Sequence, residues 1–352
     1  MPLNTGEPAP WFTAPTPSNP EFIFDSFGGR FVLLVFLPRD DTAGAAVALR
    51  ALAQRQAMFN DHRLSAFIVV RDPATVATAK DLRGLRWFLD ADGRVSRLYG
   101  ALDSTGAENP LWLLLDPTLR VLQTAPLAEP DAMLATLAAL PTPDEHAGVP
   151  LYAPILIAPR IFDPELCAQL IALHQADGGA FTGVMRDKGE RTIAVMDVLK
   201  RRRDLLVSDP SLQGRLEDLI RQRLFPAIRQ AMSFEATRIE RYVISCYDAA
   251  DRGVFHPHRD NTTYGTAHRK FACSINLNDD FEGGDLRFPE FGSRTYRPPI
   301  GGAVVFACGL LHEATRVTAG RRYAFLPFLY DEAGAEVLAA YEARVAATLP
   351  AL

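Results

Sequence analysis

Cysteine is scarce in this chain: 352 residues contain four, at positions 167, 246, 273 and 308. None belongs to a CxxC pair, so neither a structural zinc site nor a disulfide framework is indicated. The first 166 residues hold no thiol at all. Lysine is scarce too, four residues against 33 arginines, a bias that with the abundant alanine hints at a GC-rich bacterial genome. Long apolar runs are missing. The strongest, Phe31 to Leu37, is far short of the ~20 residues that span a bilayer, and MPLNTGEPAP at the start has neither the basic nor the apolar region of a secretory leader. Positive charge is not in excess either, with 37 Lys+Arg against 42 Asp+Glu and no basic tail. That balance argues against nucleic acid as a partner. A cytoplasmic protein with no membrane partner is expected. What is present, 48% apolar and 22% charged residues, is ordinary globular composition, and the length suggests about two domains.

Residues 141–154, rich in Pro with Asp, Glu, His and Gly, predict a linker between a domain over 1–140 and one over 155–352. Before it, elements alternate. FVLLVFL at 31–37 predicts a buried strand, 43–58 a helix, AFIVV at 66–70 a strand, 75–82 a helix and 87–90 a strand. LWLLL at 111–115 and 121–124 predict a hairpin across Asp116-Pro117, and 131–139 a closing helix. This order implies an α/β layer structure on a mixed sheet.

The first domain resembles the thioredoxin-fold peroxiredoxin (alkyl hydroperoxide reductase) family over about residues 5–140. The resemblance rests on Gly6-Glu7-Pro8-Ala9-Pro10-Trp11-Phe12, on Gly29-Arg30 before the first long strand, on Asp90–Gly93 with Tyr99-Gly100, and on the LWLLLDP stretch. It fails where that family's chemistry lies. The expected thiolate would follow the first strand and its Pro, but here the chain reads Pro38-Arg39-Asp40-Asp41-Thr42-Ala43-Gly44-Ala45. Peroxide is attacked by a thiolate, and the unactivated hydroxyl of Thr42 is no substitute. Arg39-Asp40-Asp41 is expected to be a solvated helix entry. The domain is therefore expected to be redox-inactive and to serve in docking, dimerisation or substrate presentation.

Beyond the linker, Asp163-Pro164-Glu165 predicts a helix start with Asp163 as N-cap, running from Leu166 to His174. A second helix is predicted over about 212–232, from Leu216, Leu219, Ile220, Leu224 and Ile228 at helical spacing. From Thr237, short strands with close turn signals imply a jelly roll or similar barrel flanked by helices.

The chemistry concentrates in Phe255-His256-Pro257-His258-Arg259-Asp260-Asn261. In an extended strand His258 and Asp260 share a face, and His312 follows a later strand. Two imidazoles and one carboxylate form the facial triad of non-haem Fe(II) oxygenases, which leaves positions open on the metal. His256 shares that parity, but an HxH pair would lack the carboxylate, so an outer or entrance role is its other reading. A 2-oxo acid filling two open positions needs a fork-shaped cation for its far carboxylate. Arg321 and Arg322 are both candidates, and strand periodicity alone does not choose between them.

Residues from about 155 to 332 closely resemble the prolyl 4-hydroxylase-type 2-oxoglutarate/Fe(II) dioxygenases. The matching stretches are Cys246-Tyr247, His258-Arg259-Asp260-Asn261, Ser274–Asn278, Phe281–Leu286, Leu311-His312-Glu313 and Gly320-Arg321-Arg322-Tyr323. The resemblance implies a double-stranded β-helix (jelly-roll) domain with Fe(II) on His258, Asp260 and His312. It further implies 2-oxoglutarate and O2 as co-substrates, succinate and CO2 as products, and ascorbate as a candidate auxiliary reductant. It selects Arg322 for the far carboxylate and places Tyr247 and Asn276 in the co-substrate pocket. Tyr247 could equally be a packed core aromatic, and Asn276 stands where relatives often carry a tyrosine. The hydroxylated substrate, whether protein, peptide or small molecule, is not specified. Asp260 disfavours halogenation, since related halogenases lose the carboxylate. The competing readings are a cysteine peroxidase, which the missing thiol rules against, and a non-catalytic scaffold.

The remaining features have plainer expectations. His62, His146, His174 and His268 are expected to be structural or surface residues, and Arg269 a solvated loop residue, with a place at the pocket mouth as its other reading. Lys200-Arg201-Arg202-Arg203 is expected in a solvated loop or helix end, with an acidic substrate implied only if it lines the cleft.

Overall fold

The computed structural model describes residues 3–40 and 42–348. Asp41, one of the residues expected at the solvated helix entry, lies outside them. The chain divides into two compact units, one of residues 1–153 with 289–293, the other of 154–288 with 294–352. The short 289–293 segment, which nothing in its sequence sets apart, groups with the first unit.

The first unit is a mixed five-stranded sheet with helices. In chain order its elements are β1 (Phe31–Phe36), α1 (Thr42–Gln54), β2 (Leu64–Val70), α2 (Pro73–Thr78), β3 (Leu85–Leu89), α3 (Arg94–Leu98), β4 (Leu111–Leu115), β5 (Val121–Pro126) and α4 (Pro130–Ala139). The strand order is β3-β2-β1-β4-β5. β1 runs parallel to β2, with Phe31 opposite Leu64, and antiparallel to β4, with Val32 opposite Leu115. Unbroken apolar strands arise because both faces are covered. Phe31, Leu33 and Val35 join one core with α1 and α4, while Val32, Leu34 and Phe36 join the other with Phe12, Phe24 and Tyr99. This is the thioredoxin-like α/β fold. The structure departs from expectation in several places: α1 stops at Gln54 and α2 at Thr78, the third strand is Leu85–Leu89 rather than 87–90, and α3 and a short strand pair, Thr13–Ala14 with Phe22–Ile23, were not predicted.

In the second unit β6 (Leu156–Ala158) and α5 (Pro164–Asp177) come first. Asp163 occupies the N-cap position of α5, but its side chain makes no capping bond and instead accepts from Arg223 Nη1 at 3.2 Å. The helix predicted as one piece over 212–232 is α6 (Pro210–Leu219), a π turn (Ile220–Leu224) and α7 (Phe225–Met232). Pro226 explains the break. Its ring would collide with the carbonyl four residues back, and the wider turn, with Phe225 N–H bonded to Ile220 O, makes room. Leu216, Ile220, Leu224 and Ile228 still share one face, packed with Leu166 and Leu170 of α5 on Ile244, Ile275 and Phe325 of the large sheet.

The strands that build the site are β7 (Lys200–Arg201), β8 (Arg203–Leu206), β9 (Val243–Asp248), β10 (Val254–His258), β11 (Phe271–Asn276), β12 (Phe281–Gly283), β13 (Leu286–Arg287), β14 (Ala303–Ala307), β15 (His312–Ala314) and β16 (Val317–Phe325). The smaller sheet follows β7-β10-β15-β13, and the larger contains the path β11-β16-β9-β8, with β14 on β11. These antiparallel sheets form the double-stranded β-helix. Gly283 has φ +69°, and a Cβ there would stand 2.1 Å from the Arg316 carbonyl, so the tight turn requires glycine. A helix, α8 (Glu332–Ala347), closes the described chain. No helix among the described residues is long and apolar enough to cross a membrane.

Candidate functional site

β10 and β15 pair antiparallel, which sets His258 directly opposite His312 across a register shift after Phe255. β10 ends at His258, so Asp260 is not on the strand as its parity implied. It follows in a bend, where its N–H is bonded to Cys308 O at 2.9 Å. The bend still brings the carboxylate back. One donor atom from each of His258, Asp260 and His312 lies within 4.8 Å of the others. His258 Nε2 is 3.5 Å from Asp260 Oδ1, and His312 Nε2 is 3.2 Å from Asp260 Oδ2.

Two features suit this trio to a metal. His258 Nδ1 is 2.8 Å from the His256 carbonyl and His312 Nδ1 is 3.0 Å from the Leu310 carbonyl. A carbonyl only accepts, so both Nδ1 atoms carry hydrogen, and Nε2, turned to Asp260, is the nitrogen each ring has to offer a metal. The separations also match adjacent donors on an octahedral ion with bonds of ~2.1 Å, which stand about 3 Å apart. Burial, reinforced by His312, pushes His258 down to about 4. Burial would raise the Asp260 carboxyl, but His312 and His258 outweigh it and hold it well below the usual range. At neutral pH His258 is thus a neutral imidazole and Asp260 a carboxylate. Phe255 stacks on His258, with centroids 3.5 Å apart, and Phe306 lies 4.5 Å from His312, so the ligating rings are walled by aromatic carbon. His256 is outside the cluster. Its backbone N–H goes to Leu199 O, and its carbonyl serves His258.

The two adjacent arginines separate sharply. Arg321 has a side chain 58% exposed, with Nε donating to Asp248 at 2.6 Å. Arg322 is 3% exposed, and burial lowers its pKa. Its Nε donates to Asn276 Oδ1 at 3.2 Å and its Nη2 to Ser274 Oγ at 2.8 Å. Both partners are neutral, and no carboxylate among the described residues is within ion-pair distance. Nearby Asp285 is committed to Arg297 at 2.6 Å. Ser274 and Asn276 share one face of β11 by alternation. The Asn276 amide donates to Pro298 O at 3.3 Å, which aims its oxygen at Arg322. Tyr247 on β9 is buried, with its ring centroid 5.4 Å from the Arg322 guanidinium carbon.

Two sequence expectations are overturned. Lys200 and Arg202 are buried rather than solvated. Arg202 pairs with Asp204 at 2.7 Å and donates to Tyr247 Oη at 3.2 Å; Lys200 donates to Asp204 at 3.2 Å and Thr182 Oγ1 at 2.5 Å. Burial and Arg202 push Lys200 down to about 7 against the opposing pull of Asp204. Arg269 is buried too, forked onto Glu240 at 2.6 and 2.9 Å and lying 4.0 Å over Phe328. His268 donates to the same carboxylate at 2.7 Å. Ser274, Arg202 and Asp204 were missed as site neighbours. Strand parity with Asn276 was the available signal for Ser274; for the other two, burial is set by strands distant in sequence.

Comparison with known proteins finds two family matches in separate parts of the chain. Residues 242–330 match the model of the 2OG-Fe(II) oxygenase superfamily, and residues 5–124 that of the AhpC/TSA family. A PKHD-type hydroxylase of Synechococcus sp. is 26% identical over 119 residues, covering 32% of this chain and 52% of the relative. The chain thus spans about half the length of the curated relatives it matches. Among solved structures, a prolyl hydroxylase from Trichoplax adhaerens, in complex with a hypoxia inducible factor oxygen degradation domain peptide, is 14% identical, with TM-score 0.41 over 52% of this chain and 86% of that one. A prolyl-4-hydroxylase of Pseudomonas putida is 17% identical, with TM-score 0.38 over 53% and 95%. A reduced 2-Cys peroxiredoxin of Plasmodium vivax is 20% identical, with TM-score 0.35 over 41% and 99%.

Proposed function

We propose that this chain, which carries a 2OG-Fe(II) oxygenase domain after an AhpC/TSA-family domain, is a 2-oxoglutarate- and Fe(II)-dependent hydroxylase. Its substrate class is a protein, peptide or small molecule, and succinate and CO2 are released. One observation carries the reading. A His-Asp-His donor set, buried at His312 and half-buried at the other two, occurs in the same barrel as a buried arginine that has only neutral partners. An uncompensated buried guanidinium is costly, and a dicarboxylate co-substrate supplies the missing charge.

In this reading His258, Asp260 and His312 would hold the iron. Bound iron supplies the redox chemistry that couples O2 reduction to decarboxylation of the oxo acid and hydroxylation of a C–H bond. The chain itself does the binding and orienting. Arg322 receives the far carboxylate, Ser274 and Asn276 fix the plane of its fork, and Phe255 and Phe306 keep water from the ligating rings. Ascorbate would act as auxiliary reductant, and the location would be cytoplasmic. The first unit, without a thiol in its expected place, would dock or present the substrate or join two copies of the chain.

The test is iron-dependent succinate formation from 2-oxoglutarate by the full chain, with His258→Ala, Asp260→Ala and His312→Ala run beside it. The expected result is turnover in the parent and none in the three variants, which keep their far-ultraviolet circular dichroism, since an open metal site adds less to folding than a closed one. Turnover surviving in any variant would refute the ligand assignment. A parent that forms no succinate with iron bound would favour the scaffold reading.

A further inference from the structure

The Tyr247 ring lies close to two buried guanidiniums, with the Arg202 carbon 5.6 Å and the Arg322 carbon 5.4 Å from its centroid. The two arginines are not equivalent. Arg202 has its own counter-ion, with Nε 2.7 Å and Nη2 2.9 Å from Asp204, whereas Arg322 has none among the described residues. Arg202 keeps one arm for the phenol, and Nη1 lies 3.2 Å from Tyr247 Oη. A guanidinium has donors only. In this contact the arginine therefore donates and the tyrosine oxygen accepts. The phenolic proton must point elsewhere, and no group among the described residues receives it. A buried hydroxyl donor thus lies beside a buried cation without a counter-ion.

We propose that Arg202 is a positioning residue, which by occupying the acceptor side of the Tyr247 hydroxyl turns its proton toward the co-substrate carboxylate that Arg322 receives. The proposal rests on the reading of Arg322 given above. It accounts for the pairing of Arg202 with Asp204. A neutralised arginine does not compete for the ligand's carboxylate, and it is hydrogen-bonded to Asp204 through Nη2 while Nη1 directs the phenol. Asp204 is in turn fixed by Lys200, Ser245 Oγ at 2.6 Å and Thr182, so the platform under Tyr247 is a bonded network. The buried part of the 200–203 basic run thereby acquires a role its sequence did not suggest.

The experiment is a double-mutant cycle read by calorimetric binding of 2-oxoglutarate to the full chain loaded with Mn(II), without turnover. Tyr247→Phe should weaken binding roughly 10- to 100-fold, the worth of a hydrogen bond to a charged group. Arg202→Met should weaken it comparably, and the double variant no more than the larger single effect. Arg202→Lys should recover part of the loss. 2-Oxobutanoate has the same chelating end without the far carboxylate, and its binding should be unchanged in all of them. Additive losses, an unaffected Arg202→Met, or equal losses with 2-oxobutanoate would overturn the proposal. If Arg202→Met does not fold, Arg202→Lys and Tyr247→Phe complete the same cycle. Arg322→Ala separates the two readings. Unchanged binding there refutes the anchor itself, whereas a large loss there with none at Arg202 refutes only the positioning role.

Discussion

Replacing Arg322 by alanine tests the co-substrate pocket at its most exposed point, because the neighbouring Arg321 supplies an internal control. The Arg322 fork is buried and already oriented by Ser274 and Asn276, so a carboxylate docking on it gains charge-assisted bonds away from water. Losing such a contact costs roughly 2–5 kcal/mol, about 30-fold to several-thousand-fold in affinity. Arg321 makes a surface pair with Asp248, worth about 0–1 kcal/mol, so Arg321→Ala should change affinity only a few-fold. Arg322→Lys should fall between, keeping charge but losing the fork. The unliganded protein gives a second readout. Removing a buried charge that has no counter-ion should leave the melting temperature of Arg322→Ala equal to or above that of the parent. Calorimetric titration of 2-oxoglutarate into the Mn(II)-loaded chain, with a thermal melt of the free protein, measures both. A large loss at Arg321 with little at Arg322 would refute the reasoning.

Two further outcomes follow from groups outside the pocket. Burial raises Glu240, but its bonds to His268 and Arg269 prevail and hold it at about 2, against an ordinary 4.5. A depressed carboxylate stabilises the fold above pH 4.5, and that contribution is lost as pH falls through about 2. Its size is about 3 kcal/mol. Denaturant melts should therefore show Glu240→Gln less stable than the parent at neutral pH, with the gap closing across that window; a gap constant with pH would refute the linkage. The second outcome concerns peroxide. All four cysteines are buried, and burial pushes the Cys167 and Cys246 thiols up to about 11. The full chain should then consume no peroxide with a thiol reductant; consumption above background would show that a redox function survives.

Sequence legibility followed the range of the interactions involved. The unbroken apolar run at Phe31–Phe36 and the hairpin across Asp116-Pro117 are local, and both form as predicted. His258, Asp260 and His312 come together although the strand supposed to carry Asp260 ends at His258. Only the mechanism differs, since the following bend, tied to Cys308, does what pleating was expected to do. Lys200, Arg202 and Arg269 were opaque because charged residues are solvated by default and their partners are remote or hidden. Arg269 meets Glu240 from 29 positions earlier, and Asp204, close in sequence, becomes a counter-ion only once β9 buries it beside Ser245 and Tyr247. The π turn before Pro226 was hidden because apolar spacing survives it.

The two imidazoles of the trio owe their tautomers to main-chain carbonyls two residues behind each, at His256 and Leu310. His268, by contrast, leans on the carboxylate of Glu240, which a single substitution can remove. Main-chain oxygens survive nearly every substitution. The instruction telling each ring which nitrogen to offer is therefore written in the strand path rather than in the identity of a neighbour. Side chains around the pocket can drift, and with them the choice of molecule modified, while the donor set keeps its form. A site locked by side chains would have to change both together; this one lets its selectivity evolve separately from its chemistry.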